Sequence, residues 1–115
     1  YMGVYGNDKN ITPYLDKLTT QSLFFNNLFA TGTRTVRGME AVNLSIPPTA
    51  GRSIIKRPIN DNLDSVGEVF KENGYKNFFI YAGYGYFDNM NNFFSKNGFN
   101  ILDRLDFQND EITFE

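Results

Sequence analysis

Leu28-Phe29-Ala30-Thr31-Gly32-Thr33-Arg34-Thr35-Val36-Arg37-Gly38-Met39-Glu40-Ala41-Val42-Asn43-Leu44 reads as a strand that breaks at Thr31-Gly32-Thr33-Arg34 and restarts as a helix at Thr35. Val36, Met39 and Val42 recur at helical spacing, with Arg37 and Glu40 on other sides. The break puts the Thr35 hydroxyl in the first turn of a helix, where unpaired backbone N–H groups and the positive end of the helix dipole favour an anion. Arg34 adds a fixed charge suited to phosphate or sulfate oxygens. A threonine presented in this way can be a nucleophile, provided that something eases its deprotonation. The plainer reading, that Thr33 or Thr35 caps a helix, stands beside it. Gly38 costs that helix about 1 kcal/mol relative to alanine, and marks either the close approach of another backbone or a tolerated glycine.

Upstream, residues 1–9 lack a clear period and read as loop. Thr12 as N-cap and Pro13 at the first helical position predict a helix to about Ser22, with Tyr14, Leu15 and Leu18 on its buried face. Leu23 to Ala30, with Phe24, Phe25, Leu28 and Phe29, suits a strand buried on much of both faces. Downstream, residues 46–62 form a long loop carrying Arg52, Lys56 and Arg57, three charges that can meet an anionic head group or simply face solvent. Asn62 is placed to cap a helix to about Asn73, with Leu63, Val66, Val69 and Phe70 facing the core and Gly74 as its stop. Tyr75 to Ala82 reads as a buried strand, Asp88 as the cap of a helix to Asn97 with Met90, Phe93 and Phe94 inside, and Phe99 to Leu102 as a further short strand. Residues 106–115 read as an acidic, exposed tail. Helix followed by buried strand is half of a βαβ unit, so the fold class is α/β with a mostly parallel sheet.

The 115 residues, 41% hydrophobic and 17% aromatic, suffice for one core. A formal charge of −2, from 11 basic and 13 acidic residues, leaves no basic excess for a nucleic acid backbone. There is no apolar run of about 20 residues to span a membrane. The chain contains neither cysteine nor histidine, so chemistry must use hydroxyls, carboxylates, Lys, Arg or Tyr, or borrow groups from elsewhere. Gly83-Tyr84-Gly85 is no dinucleotide fingerprint, since Asp88 stands at the third glycine position. The turn around it, with Tyr81, Tyr84, Tyr86 and Phe87, offers aromatic faces for a sugar or glycerol, although core packing is the commoner fate of such residues.

Three stretches carry a family resemblance. Asn10-Ile11-Thr12-Pro13-Tyr14-Leu15-Asp16-Lys17-Leu18, Ser22-Leu23-Phe24-Phe25-Asn26-Asn27-Leu28-Phe29 and Thr31-Gly32-Thr33-Arg34-Thr35-Val36-Arg37-Gly38-Met39-Glu40-Ala41 follow one another in this order. With Ser45-Ile46-Pro47-Pro48-Thr49 and Tyr84-Gly85-Tyr86-Phe87-Asp88-Asn89-Met90, they resemble the lipoteichoic acid synthase and sulfatase-like branch of the alkaline phosphatase superfamily. The resemblance implies an α/β/α sandwich in which Thr35 is a metal-bound nucleophile that carries a covalent intermediate. It places Thr33 and Arg34 in the loop of that nucleophile; with Arg52 from the basic loop and Tyr86, Asp88 and Asn89 from the aromatic turn, these are the candidate substrate-binding residues. In lipoteichoic acid synthases a Trp and an Arg grip the glycerol phosphate, and Asp88 and Met90 occupy those places here. The divalent metal, Mn or Mg with Zn as a further candidate, would lower the pKa of the hydroxyl. Sulfatases of the superfamily need a Cys or Ser with proline two residues on, whereas Thr35 is followed by Val36 and Arg37, which disfavours sulfate-ester hydrolysis by that route.

The resemblance also implies that residues 1–115 are part of a catalytic domain, lacking the acidic ligand upstream and the Asp-His ligands downstream. No metal is then expected on this piece alone, and an exposed sheet edge could pair it into a dimer. The leading expectation is a phosphoglycerol- or phosphoethanolamine-transferase-like enzyme acting on envelope lipids or glycans. By resemblance, it would be anchored in the bacterial inner membrane and work on its outer side. The alternatives are a phosphodiesterase or sulfatase-like hydrolase of the same fold, and a non-catalytic module binding an envelope glycan or lipid head group at Tyr84 to Phe87.

Overall fold

A small parallel sheet and the helix that crosses it build the centre of the molecule. The structure, a computed structural model, describes residues 2–108 and residue 111. In chain order these form α1 (Pro13–Thr19), α2 (Thr35–Leu44), α3 (Val66–Glu72), β1 (Phe78–Ile80), α4 (Met90–Lys96) and β2 (Asn100–Leu102). Short 3₁₀ turns lie at Gly3–Tyr5, Ile54–Lys56, Phe87–Asn89 and Arg104–Asp106. β1 and β2 run parallel, with Phe78 opposite Asn100, Phe79 opposite Ile101 and Ile80 opposite Leu102. Parallel strands need a crossover, and α4 supplies it, so the expected α/β class with a parallel sheet holds.

The core forms where α2, α4 and the Ile54–Lys56 turn meet. Val36, Leu44, Ile55, Met90, Phe93 and Phe94 are buried, so the apolar residues expected inside α4 are inside it. Phe94 is the hub: its ring stacks on Phe79 of β1 at 3.9 Å and takes the edges of Phe93 and Phe99 at 5.1 and 5.2 Å. Such ring pairs add about 0.5–1.5 kcal/mol each beyond the area they bury.

Asparagines rivet the long loop to this core. Asn97, wholly buried at the end of α4, donates to the carbonyls of Asn60 and Phe93 at 2.7 Å each and accepts from the Leu63 N–H at 3.0 Å. Asn60 donates in turn to the Ile55 carbonyl at 2.7 Å, and Asn92 donates to the Asn60 side chain at 3.1 Å. Gly67 and Gly98 let backbones meet here. A Cβ on Gly67 would stand 2.4 Å from the Asn97 carbonyl oxygen, and Gly98, at φ +89°, lies against the backbone of Gly67.

Several expectations are corrected. Leu23 to Ala30 is not a strand: Leu28 and Phe29 are 83% and 85% exposed, and β1 pairs with β2 alone among the described residues. An apolar run becomes a parallel strand only where a neighbour takes its hydrogen bonds. Asn62 does not begin a helix; it sits at φ +51°, and Ser65 caps α3 instead, accepting from the Glu68 N–H at 3.1 Å. Val69 and Phe70 are exposed, as are Tyr14, Leu15 and Leu18 of α1, which ends at Thr19. Thr12 precedes α1 but gives no cap. Its hydroxyl accepts from the Gly3 N–H at 3.1 Å and donates to Asp16 at 3.1 Å, tying the first residues to the helix. Asp88 lies inside a 3₁₀ turn, so α4 starts at Met90 without its help. Of the expected acidic tail, residues 109, 110 and 112–115 lie outside the described residues.

Candidate active site

The start of α2 is where the sequence places it, at Thr35. Gly32, at φ +96° and packed on Arg37 and Pro48, makes the break that only glycine adopts freely. Arg34 is extended and occupies the N-cap position, yet no side chain caps the helix. The hydroxyls of Thr33 and Thr35 have no hydrogen-bond partner among the described residues, so the capping reading is set aside. Thr35 is exposed in the first turn of a ten-residue helix, beside backbone donors that no side chain satisfies.

Two kinds of surface flank it. On one side Thr35 joins Met39, Phe79, Phe94 and Phe99 around an apolar cavity of about 490 Å³. On the other, Thr33 and Arg34 join Arg37, Arg52, Ser53 and Lys56 around a basic cavity of about 510 Å³. Arg52 and Lys56 also line an adjoining cavity of about 410 Å³ with Arg57, Asn89 and Asn92.

Glu40 holds this arrangement from beneath. It is 1% exposed, its carboxylate 3.1 Å from the Arg37 guanidinium, and it also accepts the Ile54 N–H. Arg37 donates further to the Gly51 carbonyl. The 51–54 segment is thereby fastened to α2, which brings Arg52 to the helix start. Sequence periodicity had put Glu40 away from the core. Its burial was not legible because it depends on Arg37 and Ile54 meeting it, the latter from a distant loop.

The substrate-side residues divide. Thr33, Arg34 and Arg52 share one cavity, and Asn89 joins Arg52 in the next. Asp88 pairs with Lys56, which lines both cavities, and Asn89 donates to the Ile55 carbonyl at 2.7 Å, so both residues tie the 87–89 turn to the 54–56 turn. Tyr86 lines neither basic cavity; it is exposed and stacks on Tyr84 at 5.5 Å, with the Arg104 guanidinium 5.8 Å from the Tyr84 ring. Buried Asp103 fixes this aromatic turn, accepting from the Gly85 N–H at 2.8 Å and from Asn91 at 2.7 Å. Hydrogen bonds from Asn91 and from the Leu105 and Gly85 N–H groups hold its pKa below the ordinary carboxylate value, against the opposing effect of burial. Lys56 was named with Arg52 and Arg57 as a loop cation able to meet an anionic head group, and it does line both cavities. Arg37 and Ser53 were not picked out as site residues.

Among the described residues no three acidic groups converge to hold a metal ion. Thr35 alone offers one neutral oxygen, which is a poor fit to a divalent cation's demand for several ligands.

The geometry accords with the comparisons. A protein described as belonging to the alkaline phosphatase superfamily, from Vibrio parahaemolyticus, has a crystal structure that matches this fold with a TM-score of 0.80 at 38% identity. The match covers 94% of this chain and 27% of that one, so the chain spans about a quarter of that protein's length. The sulfatase family profile matches residues 1–113. Members of this superfamily generally use divalent metals. With the profile running along nearly all of its length and the fold shared at 38% identity, the chain belongs to the sulfatase family of the alkaline phosphatase superfamily.

Proposed function

We propose that the chain contributes the nucleophile and the anion-binding wall of a phosphoglycerol- or phosphoethanolamine-transferase-like enzyme acting on envelope lipids or glycans. The observation that carries this reading is the exposed, unbonded hydroxyl of Thr35 at the start of α2, with Arg34 beside it. The Thr35 oxygen forms a bond to phosphorus, the bond from phosphorus to the leaving alcohol oxygen breaks, and that alcohol takes up a proton. An acceptor hydroxyl then attacks the phosphothreonine and regenerates Thr35; water in the acceptor's place makes the same site a phosphodiesterase. Backbone N–H groups at the helix start and the guanidinium of Arg34 stabilise the charge that develops on the phosphoryl oxygens. The proton acceptor and the full metal ligand set belong to the parent protein, which on this reading is anchored in the bacterial inner membrane with the site on its outer side.

The test is to incubate the full-length parent with phosphatidylglycerol and phosphatidylethanolamine and to weigh the intact protein. A covalent mass increment that maps to Thr35 and is absent in Thr35→Ala supports the reading. Undiminished turnover in Thr35→Ala overturns it.

A second reading is favoured by the stacked Tyr84 and Tyr86, which present exposed ring faces as a sugar-binding platform does. On that reading the chain is a non-catalytic module for an envelope glycan or lipid head group. Glycan binding lost in Tyr84→Ala and Tyr86→Ala, without any covalent adduct at Thr35, would favour it.

A further inference from the structure

The basic cavity beside α2 is more than a margin of the threonine site. We infer that it binds a second oxyanion, a phosphate or sulfate group carried by the substrate at a position away from the reacting ester; in naming a substrate it rests on the reading of Thr35 given above.

Charge is the first argument. Arg34, Arg37, Arg52, Lys56 and Arg57 line two cavities that share Arg52 and Lys56. Two of the five are neutralised, Arg37 by Glu40 and Lys56 by Asp88. Arg34, Arg52 and Arg57 meet no carboxylate among the described residues. Arg57 is oriented by neutral acceptors, the Arg52 carbonyl at 3.0 Å and the Thr49 hydroxyl at 3.5 Å, which fix its guanidinium without cancelling its charge. With Arg34 given to the phosphoryl group at Thr35, two uncompensated cations, Arg52 and Arg57, remain in these cavities of a chain whose formal charge is −2. Like charges so close repel one another, and an oxyanion between them removes the repulsion.

The second argument is a polar group left over. Ser53 lies in the wall between Arg52 and the 54–56 turn, is 4% exposed, and its hydroxyl has no hydrogen-bond partner among the described residues. A buried hydroxyl without a partner costs free energy, and such a group in a native fold asks for an explanation. Here the explanation is a ligand oxygen that comes and goes.

Position separates this site from the reacting one. Thr35 is not among the cavity's lining residues, and Arg37, two residues along α2, points about 200° around the helix from it. We therefore assign an anion against Arg52 and Ser53 to a group other than the phosphoryl at Thr35. A substrate that fills both carries at least two oxyanion groups, and the cavity volume leaves room for the moiety bearing the second.

The experiment titrates the chain with inorganic phosphate at physiological salt and follows the backbone amides by NMR. Saturable shifts at Arg52, Ser53 and Lys56 are expected. They should weaken at least about tenfold in Arg52→Gln and less in Ser53→Ala, as loss of a charge-assisted and a neutral hydrogen bond respectively. Thr35→Ala should bind phosphate unchanged, whatever the fate of the nucleophile assignment. Glycerol 3-phosphate and phosphatidylglycerol vesicles, each competed by inorganic phosphate, distinguish a free from a bilayer-borne group. Shifts that do not saturate, binding that survives Arg52→Gln, or vesicle binding that phosphate fails to compete overturns the inference.

Discussion

Arg37 and Glu40 stand one turn apart on α2, with Nη1 3.1 Å from Oε2, and the carboxylate beneath is almost completely buried. Removing the arginine strands a negative charge inside the protein. Arg37→Ala should cost about 3–5 kcal/mol, the range for breaking a buried pair from one side. Glu40→Gln keeps a hydrogen-bonding group in place and should cost less. Urea denaturation of both variants checks the order, and a loss under about 1 kcal/mol in Arg37→Ala would show that the pair does not hold the helix to the loop.

Two glycines should respond in opposite directions. A Cβ on Gly67 collides with the Phe99 ring and the Asn97 carbonyl, whereas one on Gly38 meets nothing within 4 Å. The tolerated-glycine alternative for Gly38 is therefore the one that fits. Gly38→Ala is expected to raise stability by up to about 1 kcal/mol through helix propensity. Gly67→Ala should lower it by roughly 1–3 kcal/mol through overpacking. Thermal unfolding of the pair reads both signs at once.

Acid should find Asp103. Its folded pKa lies below the unfolded value of about 3.9, so its stabilisation is whole above that value and is lost as pH falls through the folded pKa. Below about pH 4, stability should fall more steeply in the wild type than in Asp103→Asn. Near neutrality Asp103→Asn should be the less stable. Stability curves that run parallel from neutral to acid pH would remove Asp103 from the account.

In the full-length parent, Thr33→Ala is expected to reduce turnover and Thr35→Ala to abolish it. Thr33 lines the basic cavity, but only Thr35 is in the helix and next to its free N–H groups. Equal losses in the two variants would point to the loop as a unit rather than to one nucleophile.

Self-association is the expected behaviour of the isolated chain. Leu28, Phe29 and Val42 border one apolar depression, and all three are exposed, as are Phe78 and Ile80 of β1. Clustered apolar exposure of this kind drives contact between copies. Sedimentation velocity should show a concentration-dependent dimer that Phe29→Asp weakens. A monomer across the accessible concentrations would count against it.

The parts of the fold legible in the sequence were those settled within a few residues. Gly32 and the spacing after it fixed the start of α2 at Thr35, and Met90, Phe93 and Phe94 announced the buried face of α4. What needed a distant partner was not legible. Leu23 to Ala30 had the composition of a buried strand, but a strand exists through its neighbour. Asn62 had the chemistry of a cap, yet Ser65 does the capping because its hydroxyl also donates to the Asn97 carbonyl across 32 residues of sequence. In the site, Thr35, Arg34 and Arg52 were named from charge and position. Glu40 and Ser53 escaped because polar residues are read as exposed until their partners, or the lack of them, are seen.

Asp88 and Asn89 both adopt left-handed backbone conformations, at φ +54° and +63°, while their side chains reach Lys56 and the Ile55 carbonyl. Each residue therefore serves as a backbone hinge and as a tether. An alanine scan would confound the two, since alanine removes the tether and also resists the conformation, at about 1–2 kcal/mol per residue for left-handed backbone. Glycine removes the tether without resisting the conformation. At position 88 the difference between alanine and glycine reports what the turn owes to its shape, since both lose the carboxylate that meets Lys56.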